Sequence, residues 1–148
     1  MLFSHSAAYA IRALVWLACQ PKETRWLATD VAREERIPQP YLSKVLGTLK
    51  AEGFVNSIRG PRGGYALAED PSRITLRRIA SLFDSEDRLN ECVLAYGDCG
   101  SCNSCPMSAL WHDHSEAISS FLDFITIEAL AMRSKHRTDA GDDTHGHA

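Results

Sequence analysis

Between residues 28 and 68 the chain is punctuated so closely that few architectures can accept it. Arg36-Ile37-Pro38 forms a turn between two short helical patterns, and Arg59-Gly60-Pro61-Arg62-Gly63-Gly64 parts two short β-prone runs. Ala28–Glu35 reads as a helix with Val31 and Ala32 turned inward. Pro40 suits a first helical position, where its missing N–H leaves no bond unmade. The next helix runs from about Pro40 to Glu52, with Leu42, Val45, Leu46 and Leu49 on one face, and Gly53 ends it. Its other face carries Gln39, Tyr41, Ser43, Lys44, Gly47 and Thr48. Phe54–Arg59 then reads as a strand, Gly60–Gly64 as a tight turn and Tyr65–Leu67 as the returning strand. The predicted fold class is mainly α with a small β wing: a winged helix-turn-helix within residues 1–83.

The flanking segments follow the same logic. Residues 7–19 predict a helix with Ala7, Ile11, Leu14, Val15 and Ala18 on one face, and Cys19 as a small buried hydrophobe. Pro21 and Lys22 end that helix, Thr24–Leu27 suits a short strand, and Asp70-Pro71-Ser72 is a turn. Thr75 can cap a helix over Leu76–Phe83. Residues 84–105 form a polar, cysteine-bearing loop. Pro106 opens a last helix over 106–134, with an apolar stripe at Met107, Leu110, Trp111, His114, Ile118, Phe121, Leu122, Ile125, Ala129 and Met132. Its spacing is near a heptad seam, so the expected partner is a second copy, with the chain's own first helix as the other surface it could cover. The tail 135–148 is polar and is expected to be disordered.

No run approaches the roughly 20 apolar residues of a membrane span. The amino terminus lacks a basic stretch before its apolar run, and Arg12 interrupts that run, so a cytoplasmic protein is expected. The net charge of −3 hides an asymmetry. Residues 1–83 hold twelve Lys/Arg against seven Asp/Glu, and residues 84–148 hold four against twelve. A polyanion such as double-stranded DNA is therefore expected on the amino-terminal half. The candidate contacts are Gln39, Tyr41, Ser43 and Lys44 on the second helix of the pair, and Arg59 and Arg62 on the wing. Glycines beside Arg62 would let the backbone approach a duplex. There is no Gly-rich phosphate loop, nucleophile elbow or His-Glu-x-x-His motif, and no enzyme is expected.

Cys92, Cys99, Cys102 and Cys105 fall within fourteen residues, with Pro106 directly after the last. In a reducing compartment, clustered thiols favour metal binding over disulfides. Cys99-x-x-Cys102-x-x-Cys105-Pro resembles part of a bacterial ferredoxin run, which suits an iron–sulfur cluster (2Fe-2S or 4Fe-4S) better than zinc. Zinc binding and a reversible thiol switch stay open, as does a small electron-transfer protein built on the ferredoxin-like run, although the winged-helix pattern argues against the last.

The segment IPQPYLSKVLGTLKAEGFVNSIRGPRGGYALA resembles the Rrf-two family of bacterial winged-helix regulators. It carries the Pro-x-x-Tyr-Leu opening of the recognition helix, the Gly-Phe-Val step and the Arg-Gly-Pro-x-Gly-Gly-Tyr wing, and the likeness continues through ITLRRIA into CPMSALW. The resemblance covers about residues 1–132 and implies a homodimeric transcription factor, usually a repressor, sensing iron, nitric oxide or redox state. Cluster-sensing members use three loop cysteines, which Cys92, Cys99 and Cys105 match by position, with intervening stretches of six and five residues where five and five are typical. Members of the family supply a fourth ligand as an Asp from the partner's first helix or a His three residues after the last Cys. Here Ala8 and Ser108 stand at those places, so Cys102 is the expected replacement, ahead of His112, His114, Glu91, Asp98 and His5.

Overall fold

The computed structural model describes residues 2–85, Leu94 and residues 105–140, the last six of these as backbone only. The described elements run α1 (His5–Cys19), α2 (Ala28–Glu35), α3 (Gln39–Ala51), β1 (Val55–Ile58), β2 (Gly64–Leu67), a 3-10 turn at Pro71–Arg73, α4 (Leu76–Phe83), α5 (Ser108–Phe124) and α6 (Ile127–Ala140).

α1 is the element around which the others gather, and its alanines make that possible. Ala7, Ala10, Ala13, Leu14 and Leu17 are buried, because the short side chains admit α2, α3, α4, α6 and β2 at close range. The buried face is therefore turned from the predicted one: Ile11, Val15 and Ala18 lie at its half-buried edges. The Ser4 hydroxyl caps α1 by accepting from the Ala7 N–H. Cys19 is half-buried, its thiol directed at the Ala131 carbonyl at 3.7 Å.

α2 and α3 form the helix-turn-helix. α2 ends at Arg36, which adopts the left-handed conformation (φ 52°) rare for a residue bearing a Cβ, and the Ile37 N–H closes the turn onto the Ala32 carbonyl. The apolar set of α3 is buried as predicted: Leu42, Val45, Leu46 and Leu49 enter the core beside α1 and α2.

β1 and β2 pair antiparallel from Val55 opposite Leu67 to Ile58 opposite Gly64. Two glycines are demanded by the hairpin itself. A Cβ on Gly63 would lie 2.1 Å from the Ile58 carbonyl oxygen, and Gly64 (φ 129°) lies so close to Trp26 that its Cβ would meet that backbone at 2.6 Å. The strand expected over Thr24–Leu27 is reduced to one bridge, in which Trp26 and Tyr65 exchange backbone hydrogen bonds. The Trp26 indole meets Trp16 of α1 edge-on at 5.1 Å, which seats the wing on the central helix.

The predicted single carboxy-terminal helix is two helices. The break falls at Ile125-Thr126, where Thr75 and Thr126 form an antiparallel bridge. The Leu76 N–H donates to the Ile125 carbonyl at 3.0 Å, and the Ile127 N–H to the Ile74 carbonyl at 2.9 Å. Three consecutive β-branched residues, Ile125-Thr126-Ile127, accept this extended step readily. Beyond it α6 packs on α1, the intramolecular surface foreseen above, and continues past residue 134 to Ala140.

Candidate functional site

The exposed face of α3 presents Gln39, Tyr41, Ser43 and Lys44 to solvent as a set, with Gly47 beside them. Tyr41 is 62% exposed, a large aromatic left outside while Leu42, Val45, Leu46 and Leu49 of the same helix are buried. The helix has no side-chain cap at its start; Pro40 lacks an N–H, and the Tyr41 and Leu42 N–H groups both donate to the Pro38 carbonyl at 3.1 Å. Arg59 and Arg62 are exposed at the hairpin tip. A helix with free polar side chains and a wing with two free cations match the two parts that grip a duplex through groove and backbone.

The wing is held from behind by α4, through Arg78. Its guanidinium donates to both Glu69 carboxylate oxygens, at 2.7 and 3.0 Å, and to the Arg73 carbonyl at 2.8 Å, and lies 4.8 Å from the centre of the Phe54 ring. Phe54 immediately precedes β1 and Glu69 follows β2 by two residues. One side chain thus grips both feet of the hairpin. The bond from Arg78 holds the Glu69 carboxyl below its ordinary range, and Glu69 in turn raises Arg78. Arg25 adds a third hold, donating to the Asn56 side chain at 2.8 Å.

The preceding residue points to the other side. Arg77 donates to Asp123 Oδ1 at 2.9 Å and to the Ser119 carbonyl at 3.1 Å, both on α5. That contact lowers the Asp123 carboxyl from its usual value. At the end of α4, Asp84 accepts from the Ser4 N–H at 3.1 Å, which ties the start of the cysteine segment to the start of α1. Both lie in the family-like ITLRRIA stretch, but nothing in the sequence gives either arginine its partner, since both look like ordinary cations on a short amphipathic helix.

Of the four candidate ligands, Cys92, Cys99 and Cys102 lie outside the described residues. Cys105 is a free, half-buried thiol whose carbonyl accepts from the Ser108 N–H at the start of α5. Among the described residues, no three His, Cys, Asp or Glu side chains converge as a metal site. One buried polar atom close in sequence to Cys105 lacks a partner among them: the indole N–H of Trp111, near the start of α5. A buried N–H without an acceptor is uncommon, and thiolate or sulfide sulfur takes such donors at iron–sulfur sites. Together with a donor set made only of thiols, this suits the group expected from the cysteine spacing. His112 and His114 are exposed on α5, and His112 faces Glu116 at 3.8 Å, a solvated surface arrangement.

A helix-turn-helix with a two-stranded hairpin anchored behind it defines a winged-helix, DNA-binding regulator of transcription. The family described as "Rrf2: Iron-dependent Transcriptional regulator" matches residues 3–133, and the chain belongs to it. It is a family of regulators, not enzymes. The chain is 32% identical over 142 residues to the HTH-type transcriptional regulator IscR of Xenorhabdus nematophila, covering 96% of this chain and 85% of that one. It superposes on the CymR (YrzC) global cysteine regulator of B. subtilis with a TM-score of 0.71 and 25% identity, over 88% of this chain and 96% of that one. The T. potens IscR structure shares the fold, with a TM-score of 0.64 at 22% identity, over 98% of this chain and 92% of that one. No helix among the described residues is long and apolar enough to cross a membrane.

Proposed function

We propose that this chain is a homodimeric, cytoplasmic transcriptional repressor that reads iron, nitric oxide or redox state through an iron–sulfur cluster held by Cys92, Cys99, Cys102 and Cys105. On DNA, Gln39, Tyr41, Ser43 and Lys44 of α3 enter the major groove, while Arg59 and Arg62 meet phosphates or the minor groove. One observation carries the reading: the cysteine segment leaves from α4 and returns into α5, and α4 is the helix that grips the wing through Arg78. A change in that segment is therefore next to the part of the fold that aims the wing.

The cluster, when bound, supplies a centre that oxidants, nitric oxide and iron shortage can alter. The four thiolates would hold it, and the buried, unpartnered Trp111 N–H on α5 would be available as a donor to its sulfur. Differential stability of a few kcal/mol between two arrangements of the loop shifts operator occupancy by orders of magnitude. The second copy covers α5, whose Leu110, Phe121 and Phe124 stay exposed in the single chain.

Anaerobic purification without added metal tests the reading. The expected product is brown, with iron and sulfide in matched amounts per chain, and Cys92→Ser and Cys102→Ser each lose iron. A colourless protein with bound zinc, or without metal after attempted reconstitution, would leave a winged-helix regulator gated by thiol oxidation, zinc or a small ligand.

A further inference from the structure

We propose that the adjacent pair Arg77–Arg78 is a serial link by which α5 positions the DNA-binding wing. The inference rests on the regulatory reading above and deepens it by naming the residues that connect its two ends.

Consecutive residues on a helix point about 100° apart. On α4, that angle sends two guanidiniums to two different structural units. Arg77 holds Asp123 and Ser119 on α5, the helix into which the cysteine segment runs. Arg78 holds Glu69 and Phe54, the two feet of the hairpin, and the Arg73 carbonyl between the wing and α4. Phe54 is also locked to its surroundings by backbone. Its N–H donates to the Leu49 carbonyl of α3 at 2.9 Å, and its carbonyl accepts from the Ala68 N–H at 3.0 Å. A displacement of α4 therefore reaches recognition helix and wing through one buried ring.

The geometry also supplies a pivot. The backbone bonds from Leu76 to Ile125 and from Ile127 to Ile74 fix the first residue of α4 to the joint between α5 and α6. Arg77 and Asp123 stand next to that pivot, one residue beyond Leu76 and two before Ile125. α4, with 8 residues, is about 12 Å long, and α5, with 17, about 25 Å. A tilt of the longer α5 acts on the shorter α4 at Arg77, close to where the backbone holds both. The bidentate Arg78–Glu69 pair is directional enough to pass such a movement on, as a single-point ammonium contact would not be.

Links in series make a sharp prediction: once one is cut, cutting the other adds nothing. The test uses full-length Arg77→Gln, Arg78→Gln and the double variant, each checked for dimer mass and urea midpoint. Affinity is read by fluorescence anisotropy on a duplex selected from a random-sequence library by the wild-type protein. Each single substitution is expected to weaken binding roughly five-fold, and the double variant to bind no more weakly than the worse single. Arg78→Lys is expected to bind as weakly as Arg78→Gln, because a single ammonium does not keep the bidentate hold. Singles that multiply in the double would overturn the link, because independent surface contacts combine that way.

A second readout needs no DNA. Asp123→Asn, on α5, is expected to speed hydrogen exchange at the Tyr65 and Ala68 amides of the wing; unchanged exchange there would also sink the link. If the wild-type protein selects no duplex at any salt concentration, the DNA-binding reading falls and the link falls with it, whereas a bound duplex with multiplying variants refutes the link alone.

Discussion

Two amphipathic helices of this chain solve the same problem differently. α3 buries Leu42, Val45, Leu46 and Leu49 against its own chain and leaves its polar face free. α5 buries only Leu122 fully, and leaves Phe124 at 81% exposure and Leu110 at 66%. Each residue of α3 thus has its surroundings within one protomer, and its outward face is free to meet DNA. The apolar face of α5 is unfinished in the single chain. Large apolar groups left in water favour whatever covers them, at about 25 cal/mol per Å² of surface removed. The contrast teaches which helix completes its apolar packing within the single chain and which leaves large apolar groups exposed.

The comparison breaks most visibly if a core residue of α3 is removed. Leu46 is fully buried, and Leu46→Ala should cost about 3 kcal/mol from lost transfer energy and the cavity left behind. Urea unfolding should show this as a lower midpoint with an unchanged slope. Phe124→Asp should do the reverse. It should leave the unfolding of a protomer within about 0.5 kcal/mol, while weakening self-association by roughly 30-fold or more, as expected at an interface anchor. Sedimentation at several concentrations reads that shift. A dimer that survives Phe124→Asp and Leu110→Asp together would mean that α5 is covered elsewhere.

The difference between the two helices was only half legible in the sequence. The spacing of Leu42, Val45, Leu46 and Leu49 located α3 to within a residue, because Pro40 and Gly53 bound it on both sides. The wing was legible from its glycines, although the reason for them is internal. Gly63 and Gly64 make room for Ile58 and Trp26, neighbours that arrive only once the turn is built. The carboxy-terminal stripe misled, because its three- and four-residue spacing continues through Ile125 and Ala129 as though no break intervened. The signal that was present, three β-branched residues in a row, is weak until Ile74 and Thr75 arrive to pair with them. The roles of Arg77 and Arg78 could not be read at all. They depend on Asp123 and Glu69, which lie 46 and nine residues away.

At the DNA face the expected effects are smaller and differ in kind. Lys44→Gln and Arg62→Gln should each weaken binding to a selected duplex. Each should also lower the slope of log affinity against log salt by about 1 for every phosphate left without its cation. Tyr41→Ala should change which sequences are preferred while leaving that slope unchanged, since a neutral ring releases no counterion. If Lys44 and Tyr41 variants behaved alike, the exposed face of α3 would be a solvated surface and the groove assignment would fail.

The smallest effect tests the ion pairs that join the two regions. Glu69 has its carboxyl pKa lowered from 4.5, chiefly by the hydrogen bond from Arg78, so the native state holds this proton less readily than the unfolded chain does. Between the two values the unfolded state binds more protons, and stability rises with pH. The contribution of the pair is thus fully present above pH 4.5 and is lost as the pH falls through the lowered native value. Both partners are partly exposed to solvent, which keeps the contribution modest. Glu69→Gln should therefore be slightly less stable than the parent at neutral pH, and the two urea midpoints should converge on acidification. Asp123, lowered from 3.8 by Arg77, should behave in the same sense in a window that opens below its own ordinary value. Salt should shrink both differences, because exposed charges are screened. A gap between parent and Glu69→Gln that persisted under acid would show that Glu69 acts through something other than its charge.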